Sequence, residues 1–387
     1  MIDSGTVRVD EPMALAGRRI LIDASMVRGG GGFTHAVNLV PRLAAREPEA
    51  RFRLLVRSLE VVDAIDPPAN LEVVRLAENS LATRLRFQFG EAARLAREFS
   101  ANVYFSVAET APFALPCPLI VSFRNPNVFT PIDQGWGLYQ SMRLPALRRA
   151  AIRTSRRAER VVFVSHDSAR WIGDSIGLAP ERRAVIHHGI TVADWRPSTE
   201  TPSVGRDGIL SVSSVYRYKN FVRLIDAWRS LWSERASVPD LTIIGDVVDR
   251  EHAHAMEAAR TACGALAGRV HILGRVPHRD VADHYRRAAI FAFPSYLETF
   301  GHPILEAMAA DLPVVASETG VFREVADDAA VYCDPFDTRS IALALGRVLD
   351  DSSLRRRLVE AGRRRVELFS WDATAERTAE VLADVID

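Results

Sequence analysis

Short apolar segments alternate with helix-length amphipathic ones along the whole 387-residue chain, and no other feature narrows its fold as much. An apolar run of four or five residues closed by a turn-forming residue suits a strand covered on both faces of a parallel sheet. Such runs stand at 19–23, 52–56, 71–74, 103–105, 119–122, 161–164 and 184–186, and again at 209–212, 241–244, 270–273, 290–293, 313–316 and 330–332. The chain between them is of helix length, and parallel neighbours need crossover helices. The stretch from Arg196 through Gly208, rich in Pro, Ser, Thr and Gly, separates the two series. The reading is an α/β chain with two Rossmann-like domains, residues 1–196 and 205–370, followed by a last helix over 371–387.

Ligands of such sheets bind beyond the carboxyl ends of the strands, so two facing domains imply a cleft between them. The segment from Pro294 to Ala309 belongs there. The run Ala289 to Phe293 ends at Pro294, and Pro303 suits the first turn of a helix starting near His302, where no backbone N–H is needed. Gly301 lets the backbone approach a ligand, and the first amides of the helix favour an anion such as a phosphate. Glu298 on the loop and Glu306 one turn into the helix bring two carboxylates that accept hydrogen bonds from sugar hydroxyls.

A second loop, Ser213 to Asn220, follows the first strand of the second domain and carries Arg217 and Lys219. Of 49 basic residues 48 are Arg, so Lys219 marks a position suited to a compact ammonium rather than a planar fork. Cations at a helix start oppose its dipole, which favours a role in holding a diphosphate over that of plain solvated charge. Gly29 to Gly32, between the first strand and a helix beginning near Phe33, form either a flexible loop or a backbone that a ligand can approach. The chain has neither a G-x-G-x-x-G fingerprint nor a Walker A sequence.

Composition narrows the setting. With 48% apolar and 25% charged residues the chain reads as soluble and globular. No apolar run approaches the ~20 residues of a membrane-spanning helix, and Asp3, Asp10 and Glu11 stand where a leader peptide would be apolar. Cys117, Cys263 and Cys333 are widely spaced and unpaired in motif, as in a reducing compartment, so the expectation is a cytoplasmic protein without a disulfide framework or zinc site. His252 and His254 read as lying on an exposed helix without acidic partners, and no metal centre is expected.

Net charge is zero, but residues 1–200 carry 26 basic against 21 acidic side chains and residues 201–387 carry 23 against 28. The excess is concentrated in Arg143, Arg148, Arg149, Arg153, Arg156, Arg157 and Arg160, spaced as on an amphipathic helix with Glu159 the only acid among them. A solvated helix face fits this run. So does peripheral contact between Arg148–Arg160 and an anionic membrane surface or acceptor phosphate. No aromatic-studded basic groove accompanies it, which argues against nucleic acid.

From Ile209 to about Val331 the chain resembles the donor domain of the retaining glycosyltransferases of family 4, which have the GT-B fold. The matching pieces are Lys219-Asn220, Ile243-Ile244-Gly245, Val270 to Gly274, the E-x7-E element from Glu298 to Glu306 with Ala307-Met308-Ala309, Pro313 to Ser317, and Asp328 to Tyr332 with Asp334-Pro335. The first half is similar more loosely, through Gly29 to Gly32 and Val185 to Ile190, and Phe369-Ser370-Trp371 fits as well. In this family the last helix crosses back to the first domain.

The resemblance implies a metal-independent transfer of a sugar, with retention, from a nucleotide diphosphate sugar to a glycan or lipid-linked acceptor, with no cofactor beyond the donor itself. It implies that Glu298 touches sugar hydroxyls, Glu306 the nucleotide ribose, and the backbone of Phe300, Gly301, His302 and Pro303 the sugar and diphosphate. Lys219 would neutralise the leaving diphosphate. Ser213-Ser214 stand where family members often carry Gly-Arg, so Arg217 is the expected substitute, with Ser214, Gly31 and Gly32 as further donor contacts. The loop Phe123-Arg124-Asn125-Pro126-Asn127 lacks the acceptor-side His of many members and leaves Arg124 and Asn125 as the residues on that side. The family also points to cell-surface polysaccharide assembly. Two other readings stay open: a non-hydrolysing sugar-nucleotide epimerase, and a catalytically silent sugar-nucleotide-binding subunit.

Overall fold

The structure, a computed structural model, describes residues 14–27, 30–78, 80–130, 138–196 and 206–386. Among them the first series of strands is β1 (Arg19–Asp23), β2 (Arg51–Val56), β3 (Leu71–Arg75), β4 (Val103–Ser106), β5 (Leu119–Phe123), β6 (Arg160–Phe163) and β7 (Arg183–Val185). The second is β8 (Ile209–Val212), β9 (Leu241–Ile244), β10 (Val270–Gly274), β11 (Ile290–Phe293), β12 (Val314–Ser317) and β13 (Ala330–Cys333). The expected strands all form, with ends shifted by a residue or so.

The first series forms a seven-stranded sheet in the order β3-β2-β1-β4-β5-β6-β7, the second a six-stranded sheet in the order β10-β9-β8-β11-β12-β13. In both, the chain starts in the middle, winds to one edge and then returns to wind towards the other. The reversal falls between β1 and β4 and between β8 and β11, and at such a point the two crossovers leave on opposite faces and open a crevice at the strand ends.

The strands lack polar alternation because helices cover both faces. All four residues of β11 and all four of β12 are buried, with Phe291 opposite Val314 and Phe293 opposite Ala316. Successive side chains then feed opposite cores. Phe291 and Phe293 join Ile304, Leu305 and Phe322 on one face, while Ile290 and Ala292 join Phe221, Trp228 and Leu345 on the other.

By internal packing the chain divides into one unit of residues 1–123, 150–162 and 372–387 and another of residues 124–149 and 163–371. In the first unit the helix Trp371–Ile386 is tied down from Asp372 onward by ion pairs of Glu376 with Arg46 and of Asp384 with Arg160, both 2.6 Å. The second unit contains the whole six-stranded sheet.

Three expectations are corrected. The first helix opens at Gly30 rather than near Phe33, so Gly31 and Gly32 are part of its first turn and not of a loop, while Gly29 lies outside the described residues. The arginine helix is Leu138–Arg157 and excludes Arg160, which belongs to β6 and faces Asp384. His252 is buried in the first turn of the helix Arg250–Thr261, its N–H donating to Asp249 at 3.0 Å, and burial disfavours its charged form. Most of the separating stretch, residues 197–205, lies outside the described residues.

Candidate functional site

Because β8 lies beside β11, the loops that leave their carboxyl ends are neighbours, and hydrogen bonds sew them together. Tyr218 O accepts from Tyr296 N at 3.0 Å and from Ser295 Oγ at 3.1 Å. Buried Asn220 caps the helix Phe221–Glu234 from a left-handed conformation, φ +67°. From there its Nδ2 donates to Pro294 O at 3.0 Å and to Pro335 O at 2.6 Å. The loop after β9 closes in from the other side. A β-carbon on Gly245 would stand 1.8 Å from Ser213 O, so only glycine fits.

This stitching sets Lys219, at the end of the 3-10 turn Arg217–Lys219, in ion-pair contact with Glu298. Their side chains keep 10% and 11% exposure, so Lys219 is not a solvated surface charge. The ammonium also stands 5.2 Å from the Tyr218 ring and 5.3 Å from the Phe293 ring, within cation–π range. Arg217 is exposed on the same turn, and Ser214 is half-buried ahead of it.

Gly301 precedes the helix His302–Ala309 with φ +93°, and a β-carbon there would lie 2.7 Å from the Phe322 ring. Pro303 occupies the first turn as the sequence implied. The Phe300 side chain is buried between the rings of His187, His188, His302 and Phe369. Glu306, half-buried one turn on, accepts from Tyr285 OH at 2.9 Å. Burial pushes its carboxyl up to about 7, and the Tyr285 hydrogen bond only partly opposes this.

The loop after β5 meets the same site. Thr299 Oγ1 donates to Arg124 O at 2.6 Å, and Thr299 O accepts from Ser165 Oγ at 2.7 Å. Asn125 Oδ1 accepts from Asn127 N at 3.1 Å in a local turn. Asn127 Nδ2 then donates to Tyr218 OH at 3.2 Å, and its Oδ1 is buried without a hydrogen-bond partner among the described groups. Lys219, Arg217, Glu298, Phe300, Gly301, His302, Pro303, Glu306, Ser214, Arg124 and Asn125 thus all belong to one packing unit, while Gly31 and Gly32 belong to the other.

Asn127, Asn220 and Tyr285 had no assigned role in the sequence reading. The pair Lys219-Asn220 and the loop Arg124 to Asn127 were visible, but a scaffold role depends on partners remote in the chain. Another cluster was hidden by distance along the chain. Glu324 Oε1 accepts from His166 N at 2.7 Å and Oε2 from Asp167 N at 2.9 Å, capping the helix His166–Ser175. Glu324 Oε1 also meets His187 Nε2 at 2.7 Å, and the three ligand-type side chains His166, His187 and Glu324 gather within 4.8 Å. Burial works to raise the Glu324 carboxyl, but the His187 ring and the two amides outweigh it and hold the group below the usual carboxylate range.

Comparison with known proteins covers both halves of the chain. The family model "Glycosyl transferases group 1" matches residues 198–365, and "Glycosyltransferase Family 4" matches residues 29–194. An O-antigen chain mannosyltransferase B of Escherichia coli is 36% identical over 115 residues, 30% of this chain and 30% of that protein. A D-inositol 3-phosphate glycosyltransferase of Kineococcus radiotolerans is 30% identical over 246 residues, 58% of this chain and 57% of that protein. The matched region thus spans 30% to 57% of the length of these two curated relatives. The solved structure of Anabaena HepE in complex with UDP-glucose superposes with a TM-score of 0.76 at 18% identity, over 95% of this chain and 99% of that one. Two parallel sheets with helices on both faces, the loops after β8 and β11 meeting at a switch point and family matches to both halves lead to one conclusion: the chain belongs to the glycosyltransferases of the family 4 type, with the GT-B fold.

Proposed function

We propose that the chain transfers a hexosyl group, with retention and without a metal ion, from a nucleotide diphosphate sugar to a hydroxyl of a glycan or lipid-linked acceptor, in the assembly of a cell-surface polysaccharide. The observation that carries this reading is the buried Lys219–Glu298 pair beside the glycine-opened helix at His302. Such a pair offers both halves of a sugar diphosphate a partner: an ammonium for the phosphates and a carboxylate for the hydroxyls. The name of the O-antigen mannosyltransferase supports the polysaccharide setting, and UDP-glucose on Anabaena HepE supports a nucleotide sugar as donor. The epimerase reading is not favoured, since both halves match glycosyltransferase families.

In this reading Glu298 orients the sugar, Glu306 takes the ribose, and the backbone from Phe300 to Pro303 faces the diphosphate. As the glycosidic bond to the diphosphate breaks, negative charge grows on the leaving phosphate. Lys219, Arg217 and the first amides of the helix at His302 are the donors preorganised for it. The acceptor hydroxyl attacks from the same face and gives its proton to the departing phosphate. Arg124 and Asn125, with Asn127, shape the acceptor side. A thermal-shift screen against GDP-, UDP-, ADP- and dTDP-sugars, followed by transfer assays with the stabilising donor, tests this. A shift with one donor class together with a product of retained anomeric configuration is expected. No shift with any nucleotide sugar would overturn the reading.

A further inference from the structure

We propose that one face of the first packing unit docks on an anionic lipid surface. From Leu81 to Phe99 the chain is continuously helical, α over Leu81–Arg86 and Ala92–Phe99 with a single wider π turn over Phe87–Glu91 between them. Its inner side supplies the core with Phe87, Ala92, Ala96 and Phe99. Its outer side carries Leu81, Leu85 and Phe89 at four-residue intervals, one row along the helix, and all three are exposed, Leu81 at 65% and Phe89 at 69%.

A second segment extends the row. The Phe113 ring stacks on Phe89 with centroids 4.6 Å apart, and Phe113 N donates to Gln88 O at 3.1 Å, inside the π turn. Phe113 is itself exposed, so stacking joins the two rings into one patch without hiding either. Cations rim it. The Arg153 guanidinium lies 4.8 Å over Phe113, Arg156 is exposed one turn further along the same helix, and Arg84 and Arg86 are exposed beside Leu85. On the helical side Glu78 is exposed, Glu91 is half-buried with its charge felt by Arg57, and Glu98 pairs with Arg94 at 2.6 Å. The four rim arginines therefore leave the patch basic.

Isolated exposed apolar side chains need no explanation, but a contiguous aromatic and aliphatic row edged by arginines does. Its two halves match the two layers of a membrane interface: rings and leucines seat among the upper acyl chains while guanidiniums meet lipid phosphates. No helix of the described residues is long and apolar enough to cross a bilayer, so the contact is peripheral. The arginine run seen in the sequence supplies only the basic edge through Arg153 and Arg156. The apolar half comes from residues 81–89 and 113. The proposal stands on these exposures and not on the chemistry of the donor site, so each can fail without the other.

Flotation of the full chain with phosphatidylcholine vesicles, with and without phosphatidylglycerol, tests it. Binding is expected only with phosphatidylglycerol, and weaker at high salt. The double variant Leu85→Ser, Phe89→Ser should lower partitioning about tenfold or more, and Arg153→Glu with Arg156→Glu should abolish the preference for anionic vesicles. An independent readout uses Phe89→Trp, whose fluorescence should be quenched by brominated phosphatidylglycerol. Absence of flotation and quenching at low salt overturns the proposal, as does equal flotation of the double variant with an unchanged thermal midpoint. A dimer in vesicle-free buffer that the double variant dissolves overturns it too, because the patch would then be an interface between copies.

Discussion

The Lys219 ammonium and the Glu298 carboxylate neutralise one another while keeping only 10% and 11% side-chain exposure. Withdrawing both charges from water is costly, and a pair of this kind is a weak source of net stability. In the proposed reaction its value would lie in what each group does when a ligand separates them. An anionic diphosphate would compete for the ammonium and sugar hydroxyls for the carboxylate, so the resting pair would hold both groups at the position a donor is to claim.

Removing either partner strands the other as a buried charge. Lys219→Ala and Glu298→Ala should each cost about 3–5 kcal/mol of stability and lower turnover by about a hundredfold or more. The double variant should lose clearly less stability than the sum of the singles. Urea unfolding of the four proteins measures the coupling, and transfer assays measure the rate. Additive losses with near-normal turnover would remove the pair from the mechanism.

In the proposed reaction, where Glu306 takes the ribose, donor binding is expected to depend on pH near neutrality. Its carboxyl is raised from 4.5 to about 7, so in the folded chain it holds a proton that the unfolded chain has already released. Its contribution to stability therefore falls as pH rises from about 4.5 through about 7 and is flat above that. Only the ionised carboxylate accepts from two ribose hydroxyls at once, so donor affinity should rise as pH passes through this value. In Tyr285→Phe the hydroxyl that favours the ionised form is gone, and the midpoint should move to higher pH. Calorimetric titration of donor at a series of pH values reads both effects; an unmoved midpoint would mean that another group sets the profile.

Asn220→Ala should unseat Lys219 without touching it. The substitution removes two buried hydrogen bonds, to Pro294 O and Pro335 O, and places alanine at φ +67°. Together these should cost about 2–4 kcal/mol and weaken donor binding in parallel. Asn220→Gly relieves only the backbone, so it should recover about 1 kcal/mol of stability but little of the binding. Denaturant midpoints and donor titration of both variants separate the two effects.

Gly301→Ala forces a methyl group to within 2.7 Å of the Phe322 ring at φ +93°. A loss of about 1–3 kcal/mol is expected, with donor affinity falling further than the unfolding midpoint if, as proposed, the displaced loop faces the diphosphate. Pairing Gly301→Ala with Phe322→Leu should return part of the stability by making room. If the double variant is no more stable than the single one, strain in the backbone rather than the Phe322 contact dominates.

The strands were legible because β8, β11 and their counterparts are buried on both faces, and a run such as Ile290 to Phe293 has almost no other use. The loops of the candidate site were legible for a related reason. Ser213 to Asn220 and Pro294 to Ala309 are each continuous, so the proline, glycine, carboxylates and single lysine that define them lie within a few residues of one another. Local chemistry and local geometry coincide there, and the helix start at His302 could be placed from Gly301 and Pro303 alone.

Where a residue's role depends on what crosses over it, the sequence was silent or misleading. His252 looked exposed and is buried, because neighbours from other segments cover it, and Gly31 looked like loop and is the first turn of a helix. Lys219 and Glu298 are 79 positions apart, Tyr285 and Glu306 21, and Arg124 and Thr299 175. The sequence by itself determined two parallel sheets and the residue types at the loops after β8 and β11, since burial on both faces and turn chemistry are properties of short segments. Only the tertiary structure decided which charge meets which, because strand order brings β8 against β11 and hydrogen bonds from Asn220 and Tyr296 then lock the loops in register.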